Sequence, residues 1–235
     1  MRILVFDTET SGLPKAKLIS EYTLNLWPHI LQFSYVIYDT ELNDIIEIND
    51  NIVKVSKDVF IPEDSIKVHG ITNDFSSENG IPIDDILSDF FYHLLNVDLL
   101  VGHNISFDIN MVRAELYRMI YQNMPKTDSG SNNKIDLYKF NLNLLVNSKN
   151  ICCTLQDSIE LCKIEAIDKY GTPYFKYPKL AELHQKLFET VPNNLHNSLN
   201  DILITLRCYM KMKHNIDLNK TCNKFIEIAK NKRLL

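Results

Sequence analysis

The stretch ILVFDTE, residues 3–9, sets an apolar run directly before two carboxylates. Such a run is typical of a buried strand and is too short for a signal peptide. Residues two apart on a strand face the same side, so Asp7 and Glu9 would lie next to each other. Unpaired carboxylates repel each other, and burial increases that cost, whereas a cation that prefers hard oxygen ligands, Mg²⁺ or Mn²⁺, removes it. Taken alone, the pair still favours a solvated sheet edge over a metal site.

Outward from this strand, the chain shows the pattern of an α/β fold. Two further strands, predicted at 31–38 and 45–55, follow with few helical signals between them, which indicates an antiparallel meander. Strands and helices then alternate. The pattern predicts strands at 99–101 and 151–154 and helices at 83–95, 105–120, 156–163, 179–188 and 198–213. We therefore expect one mixed sheet of five strands, covered by helices.

The composition fits one α/β domain of an intracellular protein. A chain of 235 residues, 45% of them hydrophobic, has enough apolar side chains for a substantial core. No run approaches the roughly 18 apolar residues of a membrane span, and five cysteines without a CxxC pair indicate reduced thiols. The net charge of −5 argues against broad coating of duplex nucleic acid, but it permits an enzyme that grips a few nucleotides through metal ions. We expect a cytoplasmic or nuclear location, no secretion and no membrane partner.

A second acidic position follows the predicted strand at 99–101. The stretch GHNISFD, residues 102–108, leads from this strand into a helix that Asn104 is suited to cap. Asp108 would then lie in the first helical turn, on a largely apolar face near the end of the sheet. An acid there also stabilises a helix N-terminus, so Asp108 alone fits a structural and a functional role equally well.

A histidine and a fourth acid precede the last long predicted helix. Were His196 and Asp201 both helical, they would lie about 140° apart, too far to share a site. If Asn197 or Ser198 caps the helix, His196 lies on the incoming loop and reaches over the turn that carries Asp201. In isolation this pair favours a capping acid with a surface histidine. The combination is more specific, because four acids and a histidine each fall at a strand end or helix start that one sheet can bring together.

These segments resemble the motifs of the DEDDh family, the DnaQ-like or proofreading-type exonucleases. VFDTETSGL at 5–13 is similar to the first exonuclease motif, GHN and FD within 102–108 to the second, and His196 with Asp201 to the third. VHGIT at 68–72 and PKLAEL at 178–183 are weaker matches. Every acidic and histidine position of the family pattern is filled, which argues against an inactive relative.

The resemblance implies an RNase H-like fold and a 3′-to-5′ exonuclease that releases nucleoside 5′-monophosphates from single-stranded or frayed 3′ ends of DNA or RNA. It implies that Asp7, Glu9, Asp108 and Asp201 hold two Mg²⁺ or Mn²⁺ ions, with Asp7 bridging them. His196 would be the general base, since the ordinary pKa of a histidine, about 6.5, is near operating pH. A proofreading or repair role would require a polymerase or repair partner.

The resemblance also implies a set of substrate contacts. Leu13 would wedge against bases, while Asn104 and Phe107 would pack on the last sugars and bases. The full set of implied substrate-binding residues is Thr10, Leu13, Val68, His69, Ile71, Asn104 and Phe107. One departure from the family is Cys153 before Thr154, where an Asp is common. No metal ligand is affected by it.

We predict an exonuclease domain over 1–213, with insertions at about 15–28 and 122–150, and a C-terminal helical extension of the same domain over 214–235. The second insertion contains TDSGSNN at 127–133, a loop composition. Two other functions stay open: a catalytically weak module that binds nucleic-acid 3′ ends, and a metal-dependent phosphatase. The phosphatase needs a second Asp where this chain has Glu9, and it leaves the pairing of His196 with Asp201 unexplained.

Overall fold

The strand that carries ILVFDTE lies at the centre of a mixed sheet. The computed structural model describes residues 1–124, 133–147 and 150–235. Strand β1 (Arg2–Thr10) pairs antiparallel with β2 (Ile30–Asp39), which pairs antiparallel with β3 (Asp44–Ile52). On its other side β1 pairs parallel with β4 (Leu99–Gly102), and β4 pairs parallel with β5 (Ile151–Cys153). The order β3-β2-β1-β4-β5 confirms the predicted meander with added parallel strands.

Both faces of β1 are buried, and the alternation of its side chains sorts them between two cores. Leu4 and Phe6 face helices α3 (Ile83–Leu94) and α4 (Ile105–Asn123), where Phe6, Phe33 and Phe90 contact one another with ring centroids 5.0–5.8 Å apart. Ile3 and Val5 face the opposite core. That core contains residues of α8 (Leu180–Phe188), α9 (Ser198–His214) and α11 (Asn223–Lys232). The sheet is therefore a central layer between two helical layers, as predicted.

Several shorter elements were not predicted from the sequence. They are α1 (Glu63–His69), α2 (Asn73–Asn79), α10 (Leu218–Thr221) and a separate hairpin of β6 (Glu165–Ile167) and β7 (Pro173–Phe175). The helix predicted at 156–163 is instead two short helices, α6 (Thr154–Asp157) and α7 (Ile159–Cys162), which meet at Ser158. Backbone φ and ψ near −103° and 1° at Ser158 interrupt the helical turn.

The described residues of the polar segment at 122–150 are largely helical. Helix α5 (Asn133–Val146) packs on α4 and buries Ile135, Tyr138 and Leu145. These apolar residues are spaced at about one and two helical turns, but the polar composition around them obscured the pattern. The loop predicted at 127–133 lies outside the described residues except for Asn133.

The insertion at 15–28 is tied to α4. It contains a 3₁₀ turn (Leu24–Leu26), and the Arg118 guanidinium donates hydrogen bonds to the carbonyls of Leu24, Trp27 and Pro28 at 3.2, 2.5 and 3.1 Å. Arg118 also pairs with the buried carboxylate of Glu115 at 2.8 Å.

All five cysteines are free thiols in the structure. None of the helices among the described residues combines the length and the apolar character needed to cross a bilayer. An intracellular location stays a prediction.

Candidate active site

Three carboxylates meet at the end of β1. Asp7 and Glu9 continue the side of β1 that faces α9, and Asp201 lies in the first turn of α9. One carboxylate oxygen from each of these three residues lies within 4.8 Å of the other two, and all three side chains are half-buried. A strand end and a helix start, brought together by the packing of α9 on β1, thus produce one acidic cluster.

Asp108 lies behind this cluster, on the opposite side of β1. It occupies the first turn of α4 with 3% of its surface exposed. Its Oδ1 accepts hydrogen bonds from the backbone N–H of Thr8 at 3.0 Å and from the Thr8 hydroxyl at 2.7 Å. Thr8 follows Asp7 in the chain but points to the other face of the strand, so it connects Asp108 to the cluster.

The acids strongly resist ionisation together. Burial raises the pKa of Asp7 well above its usual range, and the charges of Asp108, Asp201 and Glu9 raise it further. Burial and the charges of Asp201 and Asp108 raise the pKa of Glu9 to about 8. Burial raises the pKa of Asp108 to about 7 against the lowering effect of the Thr8 hydrogen bonds, and burial likewise raises the pKa of Asp201 to about 7. A donor set made only of carboxylate oxygens, with this repulsion, fits Mg²⁺ or Mn²⁺.

The structure places His196 on the loop that enters α9. Asn197 is the N-cap of the helix, and its side chain accepts from Asn200 N–H. His196 has a left-handed φ of 69° and is exposed. Its backbone N–H lies 3.3 Å from both oxygens of Asp201. The backbone of His196 is therefore held against Asp201, one of the three acids of the cluster.

Some residues expected to bind substrate are exposed on the surface. Leu13 and Val68 have 77% and 52% of their surface exposed. The Thr10 hydroxyl donates to the Gly12 carbonyl at 2.7 Å and so fixes the turn that carries Leu13. His69 is half-buried, and its Nδ1 accepts from Ile71 N–H at 3.0 Å.

The other expected substrate-binding residues are less accessible. Ile71 is buried with Leu31 and Ile61, so it supports this surface from below. Phe107 is half-buried against the core of α3 and α4. Asn104 occupies the N-cap position of α4, but its left-handed φ of 69° leaves its side chain without a capping hydrogen bond. The expected capping role of Asn104 is therefore wrong.

Sequence reasoning missed the residues that hold α9 in place. The hydroxyl oxygens of Ser34 and Ser198 lie 2.6 Å apart, and Gln32 Oε1 accepts from Ser198 N–H at 3.3 Å. These contacts fix the start of α9 on β2. The sequence contains a sign of these contacts: two polar residues, Gln32 and Ser34, interrupt the apolar run of β2, and both are buried in the structure.

His103 is a second missed residue. Its Nδ1 lies 3.0 Å from the Thr154 hydroxyl and its Nε2 lies 3.1 Å from the Pro178 carbonyl. Burial lowers the pKa of His103 to about 4, so the ring is neutral near pH 7. It connects the end of β4 to the start of α6 and to the segment before α8.

Comparisons with known proteins agree with this geometry. The RNase_T exonuclease family model matches residues 4–209. The DNA polymerase III subunit epsilon of Buchnera aphidicola subsp. Acyrthosiphon pisum is 32% identical over 116 residues, which is 49% of this chain and 44% of that protein. The same subunit from subsp. Schizaphis graminum is 31% identical over 120 residues, 48% of this chain and 45% of that protein.

Solved structures show the same fold. Exonuclease I from Methylocaldum szegediense aligns with a TM-score of 0.57 at 19% identity over 93% of this chain and 42% of that chain. E. coli Exonuclease I in complex with a dT13 oligonucleotide gives a TM-score of 0.59 at 17% identity, over 91% and 42% of the two chains. This chain thus spans less than half the length of the relatives it matches. The family match covers most of the chain, and the chain therefore belongs to the DEDDh-type, DnaQ-like exonuclease family, a family of nuclease hydrolases.

Proposed function

We propose that this chain removes nucleotides stepwise from the 3′ end of a single-stranded or frayed nucleic acid and releases nucleoside 5′-monophosphates. The observation that carries the proposal is the meeting of Asp7, Glu9 and Asp201 within 4.8 Å, with Asp108 behind them. Family membership supports hydrolysis of a nucleic acid. The direction of attack, the two-ion mechanism and the role of His196 belong to the proposal.

Four carboxylates would hold the metal. Asp7, Glu9 and Asp201 would hold it as the cluster, and Asp108 would contribute from the first turn of α4. When bound, two Mg²⁺ or Mn²⁺ ions would supply positive charge to the attacking and leaving oxygens of phosphoryl transfer. In their ionised state the acids of this site provide the negative charge that attracts such ions.

His196 would accept the proton of the attacking water. Its exposed side chain passes that proton to solvent, and the hydrogen bond from its backbone to Asp201 keeps it beside the cluster. Leu13 and Val68 would contact the terminal bases, since both side chains are exposed.

The substrate and partner proposals follow the relatives. Solved structures of E. coli Exonuclease I contain dA16 or dT13 oligonucleotides, which supports single-stranded DNA as a first substrate to test. Relatives named DNA polymerase III subunit epsilon support a polymerase partner. The division into a domain over 1–213 and an extension over 214–235 remains a prediction.

A labelled-strand assay tests this function. Single-stranded DNA and RNA carrying a 5′ label are incubated with the protein, with and without Mg²⁺, beside His196→Ala and Asp7→Asn. We expect a descending ladder that needs the metal, a loss of about 10²–10⁴ in rate for His196→Ala with metal-induced stabilisation retained, and loss of both for Asp7→Asn. A 5′-to-3′ product pattern or wild-type rates in His196→Ala would contradict the mechanism. Binding of 3′ ends without any cleavage would favour the weak binding module.

A further inference from the structure

The β6–β7 hairpin stands apart from the main sheet. Its strands pair Glu165 with Phe175 and Ala166 with Tyr174, and Ala166 is the one half-buried residue among them, while the others are exposed. Asp168 closes the turn by accepting from Tyr170 and Thr172 N–H, both at 2.8 Å. A two-stranded hairpin that buries so little gains little stability from the core. Packing against the core therefore does not explain which residues form the hairpin.

Residues 163–179, which we name the 163–179 arm, combine aromatic and basic side chains. Tyr170, Tyr174 and Tyr177 have 80%, 50% and 58% of their surface exposed. The arm contains four lysines and two acids, in a chain whose net charge is −5. Asp168, one of the two acids, is engaged in the turn.

Three of the four lysines of the arm are available to a ligand. Lys176 pairs with Glu182 at 2.7 Å. Within the described part of the chain, Lys163, Lys169 and Lys179 have no carboxylate within 4.0 Å; Lys169 Nζ lies 4.9 Å from the centre of the Tyr170 ring. Exposed rings beside unpaired ammonium groups match a single strand, whose bases stack on aromatic rings and whose phosphates attract cations.

The base of the arm is fixed to the edge of the active site. Lys176 N–H donates to the Ile164 carbonyl at 2.9 Å, which closes the two flanks of the hairpin on each other. The Pro178 carbonyl accepts from His103 at 3.1 Å, and His103 directly precedes Asn104 at the end of β4. The arm therefore projects from the same strand end that leads into the helix carrying Asp108.

We propose that the 163–179 arm binds the single-stranded nucleic acid on the 5′ side of the nucleotides held at the acidic cluster. Bases stack on Tyr170, Tyr174 and Tyr177, and Lys163, Lys169 and Lys179 contact the phosphates. The inference rests on the proposed function and adds a length dependence to it. Substrates long enough to reach the arm are preferred to those that fill only the acidic cluster.

Length-dependent kinetics test the arm. A triple variant, Tyr170→Ala with Tyr174→Ala and Tyr177→Ala, is compared with wild type on strands of about 20 and about 3 nucleotides. We expect the ratio of kcat/KM between the long and the short strand to fall about tenfold or more, since one stacked base contributes roughly that factor. The matched control is Tyr92→Ala, an equally exposed tyrosine on α3, across the sheet, which should leave the ratio unchanged. An unchanged ratio in the triple variant overturns the proposal.

Direct binding separates this inference from the proposed activity. Fluorescence anisotropy of the labelled 20-mer in EDTA measures binding of the strand by the arm, even if the wild-type protein shows no turnover. Weaker binding by the alanine variant, restored by the corresponding triple Tyr→Phe variant, supports stacking. Equal binding by wild type and the alanine variant refutes it. If the alanine variant does not fold, Lys163→Ser with Lys169→Ser and Lys179→Ser should lower the salt dependence of binding, and an unchanged salt dependence would also overturn the proposal.

Discussion

At the scale of single residues, Thr8 shows how strand alternation arranges the acids. Asp7 and Glu9 face α9, whereas Thr8 between them faces α4 and donates two hydrogen bonds to Asp108. Hydrogen bonds to a carboxylate favour its charged form, so Thr8 partly offsets the effect of burial on the pKa of Asp108.

Replacement of Thr8 by valine removes the hydroxyl and keeps the shape. We expect Thr8→Val to raise the pKa of Asp108, because a hydrogen bond to a charged group stabilises it by about 1.5–3 kcal/mol. The acidic limb of the pH–rate profile should move up by about one pH unit at subsaturating Mg²⁺. Thr40→Val, whose hydroxyl donates to Met1 at the far end of β1, is the control. An unmoved acidic limb would show that Thr8 does not tune Asp108.

Local sequence patterns indicate some of these positions and contacts but not others. The juxtaposition of Asp7 and Glu9 follows from the two-residue period of a strand, and the position of Asp108 from a helix start. The bond between Thr8 and Asp108 joins residues 100 positions apart, so no local pattern indicates it. The failed cap at Asn104 depends on a left-handed backbone that its sequence neighbours do not require.

At the scale of elements, α4 serves both the site and the insertion. Its first turn carries Asp108, and its middle carries Glu115 and Arg118, which hold the insertion at 15–28. Glu115 also accepts from Ile30 N–H at 3.1 Å and lies 3.3 Å from His29 Nδ1. Burial raises the pKa of Glu115, but His29, Arg118 and Ile30 outweigh it, so the net pKa is lowered.

Loss of Arg118 should destabilise the fold and release the insertion. Arg118→Met leaves the buried Glu115 charge without its guanidinium partner and frees three carbonyls, so we expect a loss of about 3–5 kcal/mol in the free energy of unfolding. Amides of residues 15–28 should exchange hydrogen faster. Arg113→Met on the same helix should cost less, since among the residues that the structure describes the Arg113 side chain donates one hydrogen bond, to Asn110 at 2.9 Å. Urea denaturation and hydrogen exchange measure both effects, and equal losses in the two variants would contradict this role for Arg118.

Elements with a clear apolar period were predicted, and those without it were missed. Helices α3, α4, α8 and α9 each pack one face on the sheet and show it in sequence. The polar composition of α5 obscures its apolar spacing in the sequence, and the β6–β7 hairpin has almost no buried face that a sequence pattern could indicate. In the sequence, the pair of Arg118 and Glu115 cannot be told from charged residues on a helix surface. Only the structure shows that the pair is buried.

At the scale of the whole molecule, the acidic cluster opposes folding. The pKa values of Glu9, Asp108 and Asp201 rise to about 8, 7 and 7 in the folded state, from ordinary values of 4.5, 3.8 and 3.8. The folded protein therefore binds more protons than the unfolded chain between these limits. The free energy of unfolding then decreases as the pH rises through that range.

This linkage predicts the pH dependence of thermal stability. In EDTA, the Tm should fall between about pH 5 and pH 8. Saturating Mg²⁺ or Mn²⁺ should raise the Tm more at pH 8 than at pH 5, since metal binds the ionised native state. Asp201→Asn removes a charge that raises the pKa of Asp7, Glu9 and Asp108, so its metal-free Tm should depend less on pH. Calorimetry measures these Tm values. Identical thermal unfolding curves of the wild-type protein in EDTA and in saturating metal at pH 8 would contradict the metal site.

The order of the acids along the chain has a consequence for protein synthesis. On the ribosome, β1, β2 and β3 emerge before β4, β5 and α9 and pair through contacts close in sequence, with Asp7 and Glu9 already in place. Asp201 arrives only with α9, after every strand of the main sheet has been made. A nascent chain therefore has only Asp7 and Glu9 of the three clustered acids until α9 is made. Messenger RNA and neighbouring transcripts meet the complete cluster only when α9 has left the exit tunnel.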